Sequence, residues 1–307
     1  MPELFIVGKG AVGLLLAERL AKAYSVTLIT RSPTQTVFTQ HAECTHPLAV
    51  RCLSWQELAR QNIRIDLCIV PVKSYQLREA FTALKPHLSE DANVIFSHNG
   101  IQSLEPVMTE LPALQGLFFL STSMGGWKPN ANTVAFTGPG LSVFGPCNSV
   151  AQQRALSLFD ALIKPHLNPA LLSDDIQLLR WQKLCVNLAI NPLSALTGLK
   201  NGRLRAPCYA ANVLGVLNEA CAVANHIGVP LKLHEELHRA YQVMTLTADN
   251  VSSMAQDVKH QRRTEVDAMC GYIVELANQH GLSVPHNMKL LTRVRALHPA
   301  ENKAELG

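Results

Sequence analysis

The chain has no C-x-x-C pair among its eight cysteines (44, 52, 68, 147, 185, 208, 221 and 270), which argues against a structural zinc site. Several lie in apolar settings, as Cys68 does in Leu67-Cys68-Ile69-Val70, and read as reduced small hydrophobes of a cytosolic protein. No block of like charge is present either. The formal net charge of +4 is spread along 307 residues, whereas nucleic-acid binding would call for a basic stripe with aromatic partners. The small excess suits steering of an anionic ligand instead. No apolar run reaches membrane-spanning length, and Met1-Pro2-Glu3-Leu4-Phe5 enters a strand without a charged leader region. The expectation is a cytoplasmic protein that engages neither membrane nor nucleic acid.

With 48% apolar and 16% charged residues, the chain has the material for two globular domains. The strand Leu4-Phe5-Ile6-Val7 runs into Gly8-Lys9-Gly10-Ala11-Val12-Gly13 and a helical run from Leu14 to Ala23. A G-x-G-x-x-G between strand and helix points to dinucleotide binding: Gly8 for the tight turn, Gly10 for approach of the pyrophosphate, Gly13 for close helix packing. The free N–H groups of the helix start would face the phosphates. The alternative is an ordinary glycine turn. The second strand, Ser25 to Thr30, ends in Arg31-Ser32 with no carboxylate to hold a ribose 2′-hydroxyl. Arginine and serine there suit a 2′-phosphate, which favours NADPH over NADH; a solvated loop arginine is the bland alternative.

Residues 33 to 62 carry no clear pattern, and His41 and His46 read as surface histidines. Strands return at 65–70 and 93–97, each followed by polar residues where open α/β sheets bind ligands: Lys73 and Gln76, then Asn99. Asn99 either contacts a ligand or makes the turn that Asn-Gly favours. From 114 to 145 the pattern is β-rich, with Gly138-Pro139-Gly140 read as a hairpin-type connection. A helix over 149–163 closes the domain, and Pro165 and Pro169 mark a linker.

Beyond residue 172 the periodicity is helical, with helices expected over 176–196, 207–227, 231–248 and 265–280. Gly228 and Gly281 stand where C-caps belong. In the first of these helices Lys183, Asn187 and Asn191 are successive i, i+4 neighbours and form one stripe. A cation and two carboxamides among Leu, Val, Ala and Ile are costly unless they meet a polar ligand, which suggests a reductase site. Pro192 removes the bond back to Leu188, so a kink is expected there. Ser253 with Gln256 fits a capping box, as does Thr264 with Asp267, and Glu265 suits the first turn of a helix. Spacing alone favours structural roles for Ser253 and Glu265.

The order Gly-x-Gly-x-x-Gly, Arg31, Lys73, His98-Asn99-Gly100, Trp-x-Lys-Leu-x-Val-Asn…Asn-Pro-Leu, Asn-x-Ser-Ser-Met…Asp, Arg-x-Thr-Glu-x-Asp closely resembles the ketopantoate reductase family. The likeness runs from residue 4 to about residue 290, and its two C-terminal motifs are the specific part. It implies an α/β protein with a Rossmann-type N-terminal domain of mainly parallel sheet, residues 1–168, and an all-α C-terminal domain, residues 169–307. It also implies NADPH across the carboxyl ends of the strands and a small 2-oxo acid against the helical domain, in a monomer or homodimer. Lys183 then matches the general acid, and Glu265 a residue of catalysis and of the cofactor site. Asn99, Asn187, Asn191, Asn201 and Ser253 match substrate contacts. Gly8, Lys9, Gly10, Ala11, Val12, Gly13, Arg31, Lys73, Asn99 and Gly126 match cofactor contacts. The chain departs from the family over 32–62 and over 121–127, where polar residues expected above the cofactor are missing. These departures leave room for another 2-oxo acid. A non-catalytic NADPH-binding regulator is a further alternative; an opine or 6-phosphogluconate type dehydrogenase would need signatures that the chain lacks.

Overall fold

The apolar run Leu4–Val7 has the composition of a strand buried on both faces, and it takes a central place in a sheet. The computed structural model describes residues 1–101 and 103–297. In chain order it begins β1 (Glu3–Val7), α1 (Ala11–Leu20), β2 (Ser25–Thr30), β3 (Phe38–His41), β4 (Cys44–Pro47), β5 (Arg51–Ser54), α2 (Trp55–Arg60) and β6 (Ile65–Val70). It continues α3 (Leu77–Leu84), β7 (Leu88–Phe96), α4 (Glu105–Glu110), β8 (Gly116–Thr122), β9 (Gly125–Asn130), β10 (Thr133–Gly138), β11 (Ser142–Pro146), α5 (Ser149–Leu158) and β12 (Ala170–Leu172).

Eight of the strands form one sheet in the order β12-β11-β8-β7-β6-β1-β2-β5. The pairings from β5 across to β8 are all parallel; β11 runs antiparallel to β8 and carries β12 in parallel. Ile6 stands opposite Leu28 on one side and Ile69 on the other, so both neighbours bury apolar side chains against it. The mainly parallel sheet bears out the Rossmann-type reading of this part of the chain.

A second sheet, β4-β3-β10-β9, was not expected. Its strands flank α1, so that Leu15 of the helix shares a core with Val37 and Val134. This sheet explains why residues 33–62 carry no period. β3 and β4 are four residues long, β4 is exposed throughout, and the sheet is completed by β10, nearly a hundred residues later. The glycines at 138–140 are likewise not a hairpin. β10 pairs antiparallel with β9 in the small sheet, whereas the antiparallel neighbour of β11 is β8 in the large one. Gly140 has φ +59°, and a Cβ there would stand 2.3 Å from the Ser123 carbonyl, so the crossing between sheets needs glycine.

The helix expected over 149–163 is α5 continued by a π-helical turn over Phe159–Ile163. The linker region contributes β12, a strand of the large sheet, so regular sheet persists to Leu172. Contacts group Met1–His98 with Ser103–Ile176 as one compact unit. The second unit holds Asn99-Gly100-Ile101 and the chain from Gln177 onward.

That second unit is helical: α6 (Ile176–Thr197), α7 (Pro207–His226), α8 (Leu233–Leu246), α9 (Ser253–Lys259), α10 (Tyr272–Gln279) and α11 (Pro285–Arg295). α6 continues past Pro192 for a further turn. Trp181, Leu184 and Leu188 of α6 share its core with Val216, Leu217 and Ala220 of α7 and with Ile273. Gly228 and Gly281 end their helices at φ +82° and +69°, as C-cap geometry requires. Caps at two other helix starts differ from the sequence reading. Ser252, not Ser253, is the N-cap of α9, its hydroxyl accepting from Ala255 N at 3.1 Å. Thr264 caps nothing, because the chain enters α10 through a π-helical turn over Asp267–Gly271, and Asp267 is turned to Arg295. Cys44 and Cys208 are exposed, while Cys68, Cys185, Cys221 and Cys270 are buried, and all eight are free thiols. Among the described residues, no helix is long and apolar enough to cross a membrane.

α11 has no side-chain N-cap of its own. Its first N–H groups are met by a carboxylate from α7 instead. Buried Glu219 accepts from His286 N at 2.7 Å, from Asn287 N at 2.8 Å and from Asn287 Nδ2 at 2.8 Å. Losing that acceptor leaves buried donors unmet beside a helix start, at about 1–3 kcal/mol for each group. Glu219→Ala is therefore expected to lower stability by about 2–4 kcal/mol in urea unfolding. A change under about 0.5 kcal/mol would show that water replaces the carboxylate freely.

Candidate active site

In the first unit the fingerprint folds as its glycines require. Gly8 takes φ +97°, and a Cβ on Gly13 would lie 2.4 Å from the Gly8 carbonyl oxygen, so helix and turn touch. A Cβ on Gly10 would meet nothing nearer than 4.0 Å, which leaves the approach over the turn open. Gly10 is the N-cap of α1 without a side-chain cap, and the first turn holds no acidic residue. Uncapped amides at the positive end of a helix, beside a glycine that leaves room, fit the phosphates of a dinucleotide. Arg31 and Ser32 are exposed directly after β2, and Lys73 follows β6 as the half-buried N-cap of a 3₁₀ turn.

Gly126 has a packing role. On β9 it faces α1, and a Cβ would come within 2.7 Å of Leu15 Cδ1 and 3.0 Å of the Ala135 carbonyl oxygen. Lys9 is turned to the protein itself, donating from Nζ to Thr34 Oγ1 at 3.0 Å and to Asn132 Oδ1 at 2.8 Å. Sequence reasoning had no means of finding Asn132, which reaches the glycine turn from 123 residues away.

In the second unit α6 carries the stripe. Leu184, Leu188 and Ala189 are fully buried in the core, so Lys183, Asn187 and Asn191 occupy the flank of the helix at its margin. Burial of the ammonium pulls the Lys183 pKa down from 10.5, while the Glu265 carboxylate pushes it up, and the balance stands at about 8. Glu265 is 4% exposed, and its Oε2 accepts from Asn99 Nδ2 at 3.4 Å. The Asn99 segment is pinned beside the π-helical turn. Ile101 N donates to the Ala268 carbonyl at 2.9 Å. Gly100, at φ +72°, could not carry a Cβ, which would fall 2.4 Å from that same oxygen. Lys183, Glu265 and Asn99 thus come together around one carboxylate.

The asparagines of α6 face a deficit of acceptors. Asn187 Nδ2 is buried without a hydrogen-bond partner among the described residues, and Asn191, 7% exposed, directs Nδ2 at the sulfur of Met269, 3.9 Å away. Buried amide donors left this way cost on the order of 1–3 kcal/mol each, which an anionic or carbonyl-bearing ligand would recover. Met269 was not anticipated from sequence; its approach depends on the π-helical turn. Asn201 gathers with a different segment: Nδ2 donates to Thr247 Oγ1 at 3.0 Å, its N–H to the Asn250 carbonyl at 2.9 Å, and Oδ1 is buried without a partner among the described residues. That segment leads to Ser253, the first residue of α9, exposed because Ser252 does the capping. Buried Asp257 closes the short helix, its Oδ1 accepting from Arg262 Nε at 2.9 Å and its carbonyl from Arg262 N at 2.8 Å. Among the described residues, no group of three or more His, Cys, Asp or Glu is placed to hold a metal.

The electrostatics can be tested directly. Burial favours neutral Lys183 and Glu265 favours its ammonium, so removing the carboxylate must lower the pKa further. In Glu265→Gln, NMR titration of ¹³Cε-labelled lysine is expected to show the Lys183 transition moved to lower pH than about 8. An unmoved transition would mean that Glu265 does not act on it.

The family model described as "Ketopantoate reductase PanE/ApbA" matches residues 4–149, and that described as "Ketopantoate reductase PanE/ApbA C terminal" matches residues 175–298. A 2-dehydropantoate 2-reductase of Vibrio cholerae is 35% identical over 307 aligned residues, covering 98% of this chain and all of that one. A PanE/ApbA family ketopantoate reductase from Ralstonia eutropha has a TM-score of 0.83 at 27% identity, covering 98% of this chain and 99% of that one. D-mandelate dehydrogenase, solved with NADH and anilino(oxo)acetate, has a TM-score of 0.89 at 22% identity, with 98% and 99% covered. At that identity it is a likeness of fold.

Proposed function

The chain belongs to the ketopantoate reductase family, and from that premise we propose that it catalyses NADPH-dependent reduction of 2-dehydropantoate to pantoate, a step of pantothenate synthesis. The observation that carries the reading is the pairing of a partly buried lysine, pKa about 8, with asparagine amide donors that lack oxygen acceptors among the described residues. Gly8, Gly10, Ala11, Val12 and Gly13 would hold the cofactor's phosphates, with Arg31 on a 2′-phosphate and Lys73 beside them. NADPH, when bound, supplies a hydride to the keto carbon. The remaining work belongs to the chain.

As the keto carbon is reduced, its oxygen gathers negative charge and needs a proton. Lys183 gives one from Nζ and is left as a neutral amine, to be recharged from solvent. A donor with a pKa of about 8 is mostly protonated at neutral pH, yet gives its proton up more readily than an exposed lysine. Glu265 keeps that ammonium charged and holds Asn99 through its Oε2. Asn187 and Asn191 offer neutral donors to the carboxylate and hydroxyl oxygens of the substrate, with Asn201 and Ser253 as further contacts.

The test is loss of reduced-nicotinamide absorbance with NADPH and 2-dehydropantoate, beside NADH and a panel of other 2-oxo acids. Oxidation of NADPH confined to 2-dehydropantoate is expected; preference for another acid would overturn the substrate, and no turnover at all would overturn the reaction. Lys183→Ala should lower turnover by about 10²–10⁴, the usual contribution of a placed proton donor. Near-normal turnover in a folded variant would remove Lys183 from that role. Arg31→Glu should raise KM for NADPH far more than for NADH, and an equal rise for both would show that Arg31 does not read the phosphate.

A further inference from the structure

Three segments distant in sequence converge on one ammonium beside the glycine turn. Lys9 Nζ donates to Thr34 Oγ1 at 3.0 Å and to Asn132 Oδ1 at 2.8 Å. Thr34 Oγ1 in turn donates to the Ser32 carbonyl at 3.2 Å, which also accepts from Thr30 Oγ1 at 2.8 Å. The Lys9 backbone is held as well: Lys128 Nζ donates to the Lys9 carbonyl at 2.9 Å and to the Ala131 carbonyl at 2.7 Å. Glycine turn, Arg31–Ser32 turn and the β9–β10 connection are therefore one hydrogen-bonded assembly.

Two features set Lys9 apart from a surface lysine. It is half-buried, and both of its partners are neutral, so that no carboxylate among the described residues cancels its charge. A partly desolvated cation left uncompensated suits a neighbourhood that receives an anion. Its reach toward Arg31 is also physical, since the path Lys9–Thr34–Ser32 fixes the carbonyl that directly follows Arg31. Arg31 itself is exposed, and an exposed arginine holds a phosphate well only if the backbone beneath it is held.

We propose that Lys9 is a positioning residue for cofactor selection, fixing the Arg31–Ser32 turn through Thr34 and so setting the preference for a 2′-phosphorylated adenosine. The proposal rests on the reading of Arg31 as the group that meets the 2′-phosphate. Lys9 then acts on the nucleotide through the turn, with its ammonium engaged by Thr34 and Asn132.

Calorimetric titration of the whole protein with adenosine 2′,5′-bisphosphate and with 5′-AMP separates the possibilities without any turnover. Lys9→Met should weaken the bisphosphate about tenfold and 5′-AMP by less than about twofold. Thr34→Val keeps the lysine charge and breaks the relay, and it should weaken the bisphosphate in the same selective way. Selective loss in Lys9→Met with none in Thr34→Val would overturn positioning, as would equal loss of both nucleotides. Arg31→Gln is the control for the premise. If it fails to separate the two nucleotides the reading of Arg31 has failed, whereas a selective Arg31→Gln beside silent Lys9 and Thr34 variants condemns the present inference alone.

Discussion

The second unit is organised by the cost of keeping one ammonium out of water. Burial pulls the Lys183 pKa down, and the Glu265 carboxylate opposes this. Glu265 can do so only by being desolvated itself, which brings its own requirements. The 4% exposed side chain must be delivered to the α6 flank, and a polar neighbour must help hold it. Asn99 supplies the neighbour. The π-helical turn at Asp267–Gly271 supplies the backbone, and Gly100 is the residue that lets the Asn99 segment lie against it. A Cβ at Gly100 would meet the Ala268 carbonyl and so disturb the lysine indirectly, by way of Asn99 and Glu265. The pKa of about 8 is a compromise between two opposed effects, and such a value suits a proton donor better than either extreme.

What could be read from the sequence, and what could not, follows the range of the interactions involved. The parallel sheet was visible because β1, β2 and β6 each gather β-branched or other apolar residues within five or six positions. The α6 stripe was visible because i, i+4 spacing is local, and Gly228 and Gly281 because a left-handed C-cap is a single-residue event. The small sheet was hidden because its strands are short and their partners lie far along the chain, so no window contains its period. The cap of α9 was misplaced by one residue because Ser253 with Gln256 has capping-box spacing, whereas it is Ser252, with Ala255 three residues on, whose hydroxyl accepts the backbone N–H. α11 was missed for a related reason: its N-terminus is satisfied by Glu219, from a helix that ends some sixty residues earlier.

The misplaced cap has a consequence for chemistry. Had Ser253 been the cap, its hydroxyl would have been committed to the backbone of α9. With Ser252 in that role, Ser253 is left exposed at the start of a helix whose far end is tied by Asp257 to Arg262, three residues ahead of Glu265. The Asn-x-Ser-Ser-Met…Asp and Arg-x-Thr-Glu motifs then describe one continuous device. One serine caps, the next is presented, and an ion pair with a backbone bond sets the path toward the buried carboxylate.

The two units handle positive charge in opposite ways. In the second, a partly desolvated lysine is matched by a carboxylate, which suits the proton-donor role proposed for it. In the first, Lys9 is met among the described residues by hydroxyl and carboxamide oxygens, so its charge is positioned without being cancelled. A carboxylate in place of Asn132 would satisfy the same geometry, yet it would set a negative charge beside the turn proposed to receive phosphates. A neutral acceptor fixes the lysine and preserves its field. By the same logic the first turn of α1 carries no acidic residue, although acidic residues there are ordinarily stabilising. The first unit gives up that local stabilisation, and the positive end of α1 is left without a compensating charge, which fits the dinucleotide proposed for it.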